Sequence, residues 1–137
     1  MKNEITIEAT VNAPIDKVWK YWNEPEYITQ WCAASPDWHA PAAQNDIKKG
    51  GAFTTTMAAK DGSFSFDFGG IYDEVITNEL IEYTMGDGRK AKIVFSESGD
   101  QTKIVESFEP EETNPREMQQ GGWQAILDNF KSYTENN

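Results

Sequence analysis

Apolar and polar positions alternate strictly over residues 4–11: Ile5, Ile7, Ala9 and Val11 share one side, and Glu4, Thr6, Glu8 and Thr10 the other. That is the period of a half-buried strand. Asn12-Ala13-Pro14 stops it and starts a helix, with Asn12 as cap and Pro14 suited to the first turn. The helical stretch IDKVWKYW gathers Ile15, Val18, Trp19 and Trp22 on one side. Asn23-Glu24-Pro25 breaks it, and a second short helix, PEYITQW, presents Tyr27, Ile28 and Trp31. Residues 32–50 read as irregular, a long connection of the kind that is functional or mobile. Asp46 and Gly50-Gly51 close it.

From Ala52 the pattern is that of a β-meander. Phe53, Thr55 and Met57 alternate, Asp61-Gly62 makes a hairpin turn, and Phe64, Phe66 and Phe68 alternate against Ser65 and Asp67. Gly69-Gly70 inside that run predicts a bulge or sharp bend, followed by Tyr72 and Val75. Turns at 77–79, 86–88 and 98–100 separate three further faces: Ile81, Tyr83 and Met85; Ala91, Ile93 and Phe95; Thr102, Ile104, Glu106 and Phe108.

The last stretch, Asn114 to Asn137, has helical period. Asn114 reads as its N-cap, Pro115 as its first position and Glu117 as the partner in a capping box. Gln119, Trp123, Ile126, Phe130 and Tyr133 form one stripe, flanked by Leu127 and Gly122. Its second half fills space, whereas Gln119 and Gly121-Gly122 do not. Each glycine costs a helix about 1 kcal/mol relative to alanine. Two adjacent ones indicate a close approach of backbone to sheet, a kink, or a space beneath the helix's first turns.

The order is thus one strand, two short helices, six strands and one long helix. Strands in a run followed by a helix give an α+β fold with an antiparallel sheet. A sheet of about seven strands curls strongly. The final helix is the element for it to curl around, with the short helices closing one end.

Composition narrows the function classes. A length of 137 residues corresponds to one domain, residues 1–137. The net charge of −11 and the lack of a basic stripe argue against nucleic acid. The start of the chain has no apolar signal region, and no apolar run is long enough to span a membrane. With Cys32 as the only cysteine, no internal disulfide forms, and a reducing, cytoplasmic setting is expected. One His and one Cys give no metal-ligand set, and no cofactor is expected. The glycine pairs do not lead from strand to helix, so they are not a phosphate cradle. No catalytic residue is assigned, since Cys32 has only His39 as a potential base and no nucleophile elbow occurs.

Glu106 is the polar residue of interest, because alternation puts it on the face of Ile104 and Phe108. Two readings stand: a bulge or wet edge turns it outward, or it is a polar anchor in an apolar pocket, hydrogen-bonded to Gln119. A buried unpaired carboxylate is expensive and its pKa rises. On the second reading, Trp22, Trp31, Gly122 and Trp123 border the pocket from the helices. Phe66, Phe68, Tyr72, Met85, Phe95 and Phe108 border it from the strands. Trp31 and Trp38, beside the long connection, suit a mouth or lid.

The opening Ala13-Pro14, Val18-Trp19 and Trp22 resembles the START-like (SRPBCC, Bet v-like) superfamily with its helix-grip fold. Further pieces are Trp31, Asp46, Gly50-Gly51, Gly70, Tyr72, Glu74-Val75 and Asp87-Gly88-Arg89. The chain ends with Phe108-Glu109-Pro110, Asn114-Pro115, Gln119, Gly122-Trp123, Leu127 and Phe130. Together they resemble the branch named after activators of heat-shock-chaperone ATPase. The resemblance implies a cavity between sheet and long helix that holds a small apolar or amphipathic molecule. It also implies, as alternatives, a chaperone-associated interaction module of the stress response or a cyclase- or dehydratase-type enzyme using Glu106.

Overall fold

A computed structural model describes residues 1–137. The elements are β1 (Ile5–Val11), α1 (Ile15–Asn23), α2 (Pro25–Trp31), β2 (Trp38–Asn45), β3 (Ala52–Ala59), β4 (Ser65–Ile76), β5 (Leu80–Met85), β6 (Lys90–Ser98), β7 (Gln101–Phe108) and α3 (Arg116–Asn136). The seven strands form one antiparallel sheet in the order β1-β7-β6-β5-β4-β3-β2. The sheet curls around α3 in the α+β helix-grip arrangement, and α1 and α2 close one end.

Seven strands are expected and found, but one comes from an unexpected place. Residues 38–45 lie in the stretch read as irregular, yet they form β2 along the sheet's edge. Their sequence, WHAPAAQN, has little strand propensity. Pairing to β3 and packing against α2, with Ala40 buried, supply the order, and Pro41 is tolerated because an edge strand need not donate on both sides. Conversely, residues 65–76 are the single strand β4, with continuous pairing to β3 across Gly69-Gly70. The bulge lies further on, between Tyr72 and Glu74. It puts Tyr72 opposite Tyr83 and Val75 opposite Ile81, so both face inward despite their odd spacing. Gly69 and Gly70 are close-approach positions instead: a Cβ would run into the carbonyl oxygens of Phe53 and Thr84.

The expected caps are corrected too. Neither α1 nor α3 has a side-chain cap, and Pro14 and Pro115 take the N-cap places assigned to Asn12 and Asn114. The chain entering α3 is held by Gln119 instead. Its side-chain oxygen accepts from Glu111 N at 2.9 Å, and its Nε2 donates to the carbonyls of Glu111 and Asn114 at 3.0 and 2.8 Å. The proline fixes the local backbone, and a buried amide replaces the cap.

The core is the inner face of the sheet against α1, α2 and α3. Phe108, Phe130, Ile104, Leu127, Val11 and Val18 are almost fully enclosed. Thr102 reaches the core by donating to the Ala13 carbonyl at 2.9 Å. α3 runs beside β1 and is tied to it along its length. Arg116 donates to the carbonyls of Asn3 and Glu4, Gln124 to Glu8, and Lys131 to Thr10 at 2.8 Å. No helix is long and apolar enough to cross a membrane.

Candidate functional site

The helix–sheet interface is not filled evenly. Toward its C-terminal end α3 packs tightly: Phe130 meets Trp22 and Trp31 edge-on at 4.8 and 4.9 Å between ring centroids, and Trp22 meets Phe95 at 5.7 Å. Toward the N-terminal end lies a partly open cavity of about 350 Å³. Trp123 and Ile126 line it from α3, Trp31 from α2, Cys32 from just beyond α2, and Phe53, Phe68 and Tyr83 from the strands. Arg89, Glu111 and Asn114 stand at its wetter side.

Of the expected residues, Trp22, Trp31, Phe66, Phe68, Tyr72, Glu106, Gln119 and Trp123 lie on this lining. Four expectations are corrected. Phe95 is enclosed between Trp19 and Trp22, and Phe108 stacks on Trp123 at 3.9 Å. Phe108 therefore supports a wall without forming its surface. Met85, at the end of β5, is buried in the core and lines not this cavity but an adjoining groove with Gly69, Gly70 and Gly86, which shares Phe53, Phe66, Phe68 and Arg89 with it. Gly122 does not face the cavity, and neither glycine of the α3 pair approaches another element: a Cβ on either meets open space. The close-approach reading is thereby overturned, and α3 runs through both glycines as one helix.

Trp31 and Trp38 also part company. Trp31 is buried, its Nε1 donating to the Tyr21 carbonyl at 2.9 Å. Trp38 is half-buried and not on the lining; it packs against Phe64 and Phe66, the second of which is 45% exposed and reaches the lining.

Glu106 points inward, with 6% exposure, and opposes Ile7 and Ile93 in the neighbouring strands. It is not paired with Gln119, which is committed to residues 111 and 114. Burial alone, with no compensating hydrogen bond or cation, pushes its pKa up to about 8. The carboxyl is therefore largely neutral at pH 7. Around it, burial also raises the Cys32 thiol to about 12 and lifts the Tyr83 hydroxyl well above its usual value, Glu106 adding to both. Cys32 is thus an inert thiol, its Sγ 3.7 Å from the Met57 sulfur.

A polar seam closes the other side. Asn45 Nδ2 donates to the Asn23 carbonyl at 2.7 Å, and its oxygen accepts from the Tyr72 hydroxyl, so the end of α1 is joined through β2 to β4. The Asn23 side-chain oxygen is buried on this lining without a partner.

Sequence reasoning did not select Phe53, Tyr83, Cys32, Asn23, Asn45 or Arg89 for the site. Phe53 and Tyr83 carry a legible signal, as each sits on an apolar alternating face. Asn23 and Asn45 carry none, because their pairing depends on a strand that the sequence does not announce. No group of His, Cys, Asp and Glu side chains is arranged to hold a metal ion.

Comparison with known proteins agrees with this architecture. A solution structure of a Cytophaga hutchinsonii protein is 75% identical, with a TM-score of 0.84, covering 98% of this chain and 94% of that one. The solution structure of an AHSA1-like protein from Aeromonas hydrophila is 42% identical, with a TM-score of 0.91 over 97% and 92% of the two chains. A crystal structure of a Chromobacterium violaceum protein, 22% identical, shares the fold with a TM-score of 0.87 over 98% and 99%. No curated protein matches the chain. The family model described as "Activator of Hsp90 ATPase homolog 1-like protein" matches residues 12–135, and the chain belongs to that family.

Proposed function

We propose that this chain is a single START-like domain that binds a small apolar or amphipathic molecule between its sheet and α3, without catalysing a reaction. The observation that carries the reading is a 350 Å³ space walled by aromatic rings with one buried, unpartnered carboxyl on its lining. That volume lies within the range of small-molecule pockets, which combine apolar walls with a few polar groups that fix orientation. An inert, half-buried thiol suits a reducing, cytoplasmic setting. The test is a panel of lipids and metabolites read by amide chemical shifts. Perturbations clustered at Gln119, Trp123 and Tyr83 are expected; a panel that leaves those three unmoved overturns the reading.

A second reading, favoured by the family match over residues 12–135, is a chaperone-associated interaction module. It predicts that the protein changes the turnover of a heat-shock ATPase from the same cell. No change at high micromolar protein would exclude it.

A further inference from the structure

Glu106 lacks any partner for its ionised form. The titratable and charged groups sharing its cavity are Cys32 from the end of α2, Tyr72 from β4, Tyr83 from β5, Arg89 from the β5–β6 turn and Glu111 from the β7–α3 connection. The thiol and both phenols are held neutral by burial. Arg89 is already engaged: its Nε donates to Asp87 at 2.7 Å and its Nη1 to the Glu109 carbonyl at 3.2 Å. The strand neighbours Ile7 and Ile93 are apolar, and α3 contributes no cation to the lining.

What surrounds the carboxyl suits a positive guest. Trp31, Trp123, Phe53, Phe68 and Tyr83 border the same space, and aromatic faces attract cations most strongly where water is excluded. The chain's net charge of −11 raises the local concentration of cations over anions. From this geometry, and resting on the ligand-binding reading above, we infer that the natural ligand carries one basic amine on an apolar or aromatic body. Its ammonium pairs with the Glu106 carboxylate while its body lies against the rings.

The proton balance makes this testable. Below about pH 8 the amine arrives as ammonium and Glu106 as the neutral acid. Pairing then releases one proton to solvent, and the ammonium and carboxylate remain bound. Affinity should strengthen about tenfold per pH unit on approaching pH 8, then level off until the amine itself deprotonates. A ligand that accepts a hydrogen bond from the neutral acid shows the opposite trend, losing affinity above pH 8.

The experiment is calorimetry with two matched sets of probes: tryptamine, tryptophol and indole-3-acetate, and octylamine, octanol and octanoate. Each is measured from about pH 6 to pH 9 in buffers of different ionisation enthalpy. At pH 8 the amine should bind tenfold or more tighter than its alcohol, and close to one proton should be released per amine bound near pH 6.5. Glu106→Gln should bring the amine-to-alcohol ratio close to one. Proton release by the unaltered protein keeps the test decisive if that variant folds poorly. Alcohols or acids that bind as well as the amines, or amine binding without proton release, overturn the inference and leave the cavity reading standing. Failure of all six probes to bind at millimolar concentration takes down both.

Discussion

The two halves of the interface beneath α3 are built from similar residue types to opposite ends. Around Phe130 and Leu127, both almost fully enclosed, rings and branched chains pack with Trp22, Phe95 and Val18 in one cluster. Around Trp123 and Gln119, the same helix meets the same sheet across a cavity that holds an acid without a counter-charge. One half supplies stability, and the other gives some of it up. The difference teaches that aromatic content alone does not make a core. The tight half has side chains aimed at one another; in the hollow half Gln119 turns away to hold residues 111 and 114, and Trp123 lies flat on Phe108.

The contrast is broken most severely at Phe130, which is fully enclosed. Phe130→Ala should lower unfolding stability by about 3–5 kcal/mol, read from urea midpoints. A loss below about 1 kcal/mol would mean that the tight half is as loose as the hollow one.

The next effect separates the halves by pH. Because Glu106 binds its proton more tightly folded than unfolded, its contribution is complete below its ordinary carboxylate range, near pH 4.5, and is lost as pH rises through about 8. Stability should therefore fall with pH in that window, with a slope of up to about 1.4 kcal/mol per pH unit from this group. Glu106→Gln should flatten that slope in denaturation curves taken at several pH values. An unchanged profile would place the acid in water. Groups whose folded pKa is depressed, such as Glu135 and Glu109, act oppositely and at lower pH, so the two contributions separate along the pH axis.

The smallest effect concerns Gly121 and Gly122. Since a Cβ meets nothing at either, Gly121→Ala and Gly122→Ala should each stabilise the protein by about 0.5–1 kcal/mol, seen as a rise in Tm. Destabilisation by either would show that the helix there moves against the sheet.

Much of this fold is legible in the chain. Strict alternation places the inward faces of β1, β5, β6 and β7, and the helical stripe places Trp123, Ile126 and Phe130. Glu106 is legible as an anomaly on an apolar face, although alternation alone does not decide whether it turns in or out. What the sequence conceals follows from tertiary pairing. β2 exists because β3 offers it hydrogen bonds and α2 packs against it, not because WHAPAAQN prefers extension. Asn45 becomes part of the cavity only through β2. The bulge after Tyr72 is set by register with β5, and it aligns Val75 where simple alternation would not. Gln119 is misread as a partner for Glu106, since a stripe position gives no information about which end of a long amide is already occupied.

The side chains that tether α3 to β1 have a consequence for self-association. Arg116, Gln124 and Lys131 occupy carbonyls of Glu4, Glu8 and Thr10 along the first outer strand, leaving fewer acceptors there for a stranger's backbone. At the far margin, Pro41 and the register break between His39 and Ala42 spoil the template offered by β2. Both borders of an open sheet are therefore blunted by different means, the kind of protection that keeps strands of separate molecules from zipping together into fibres.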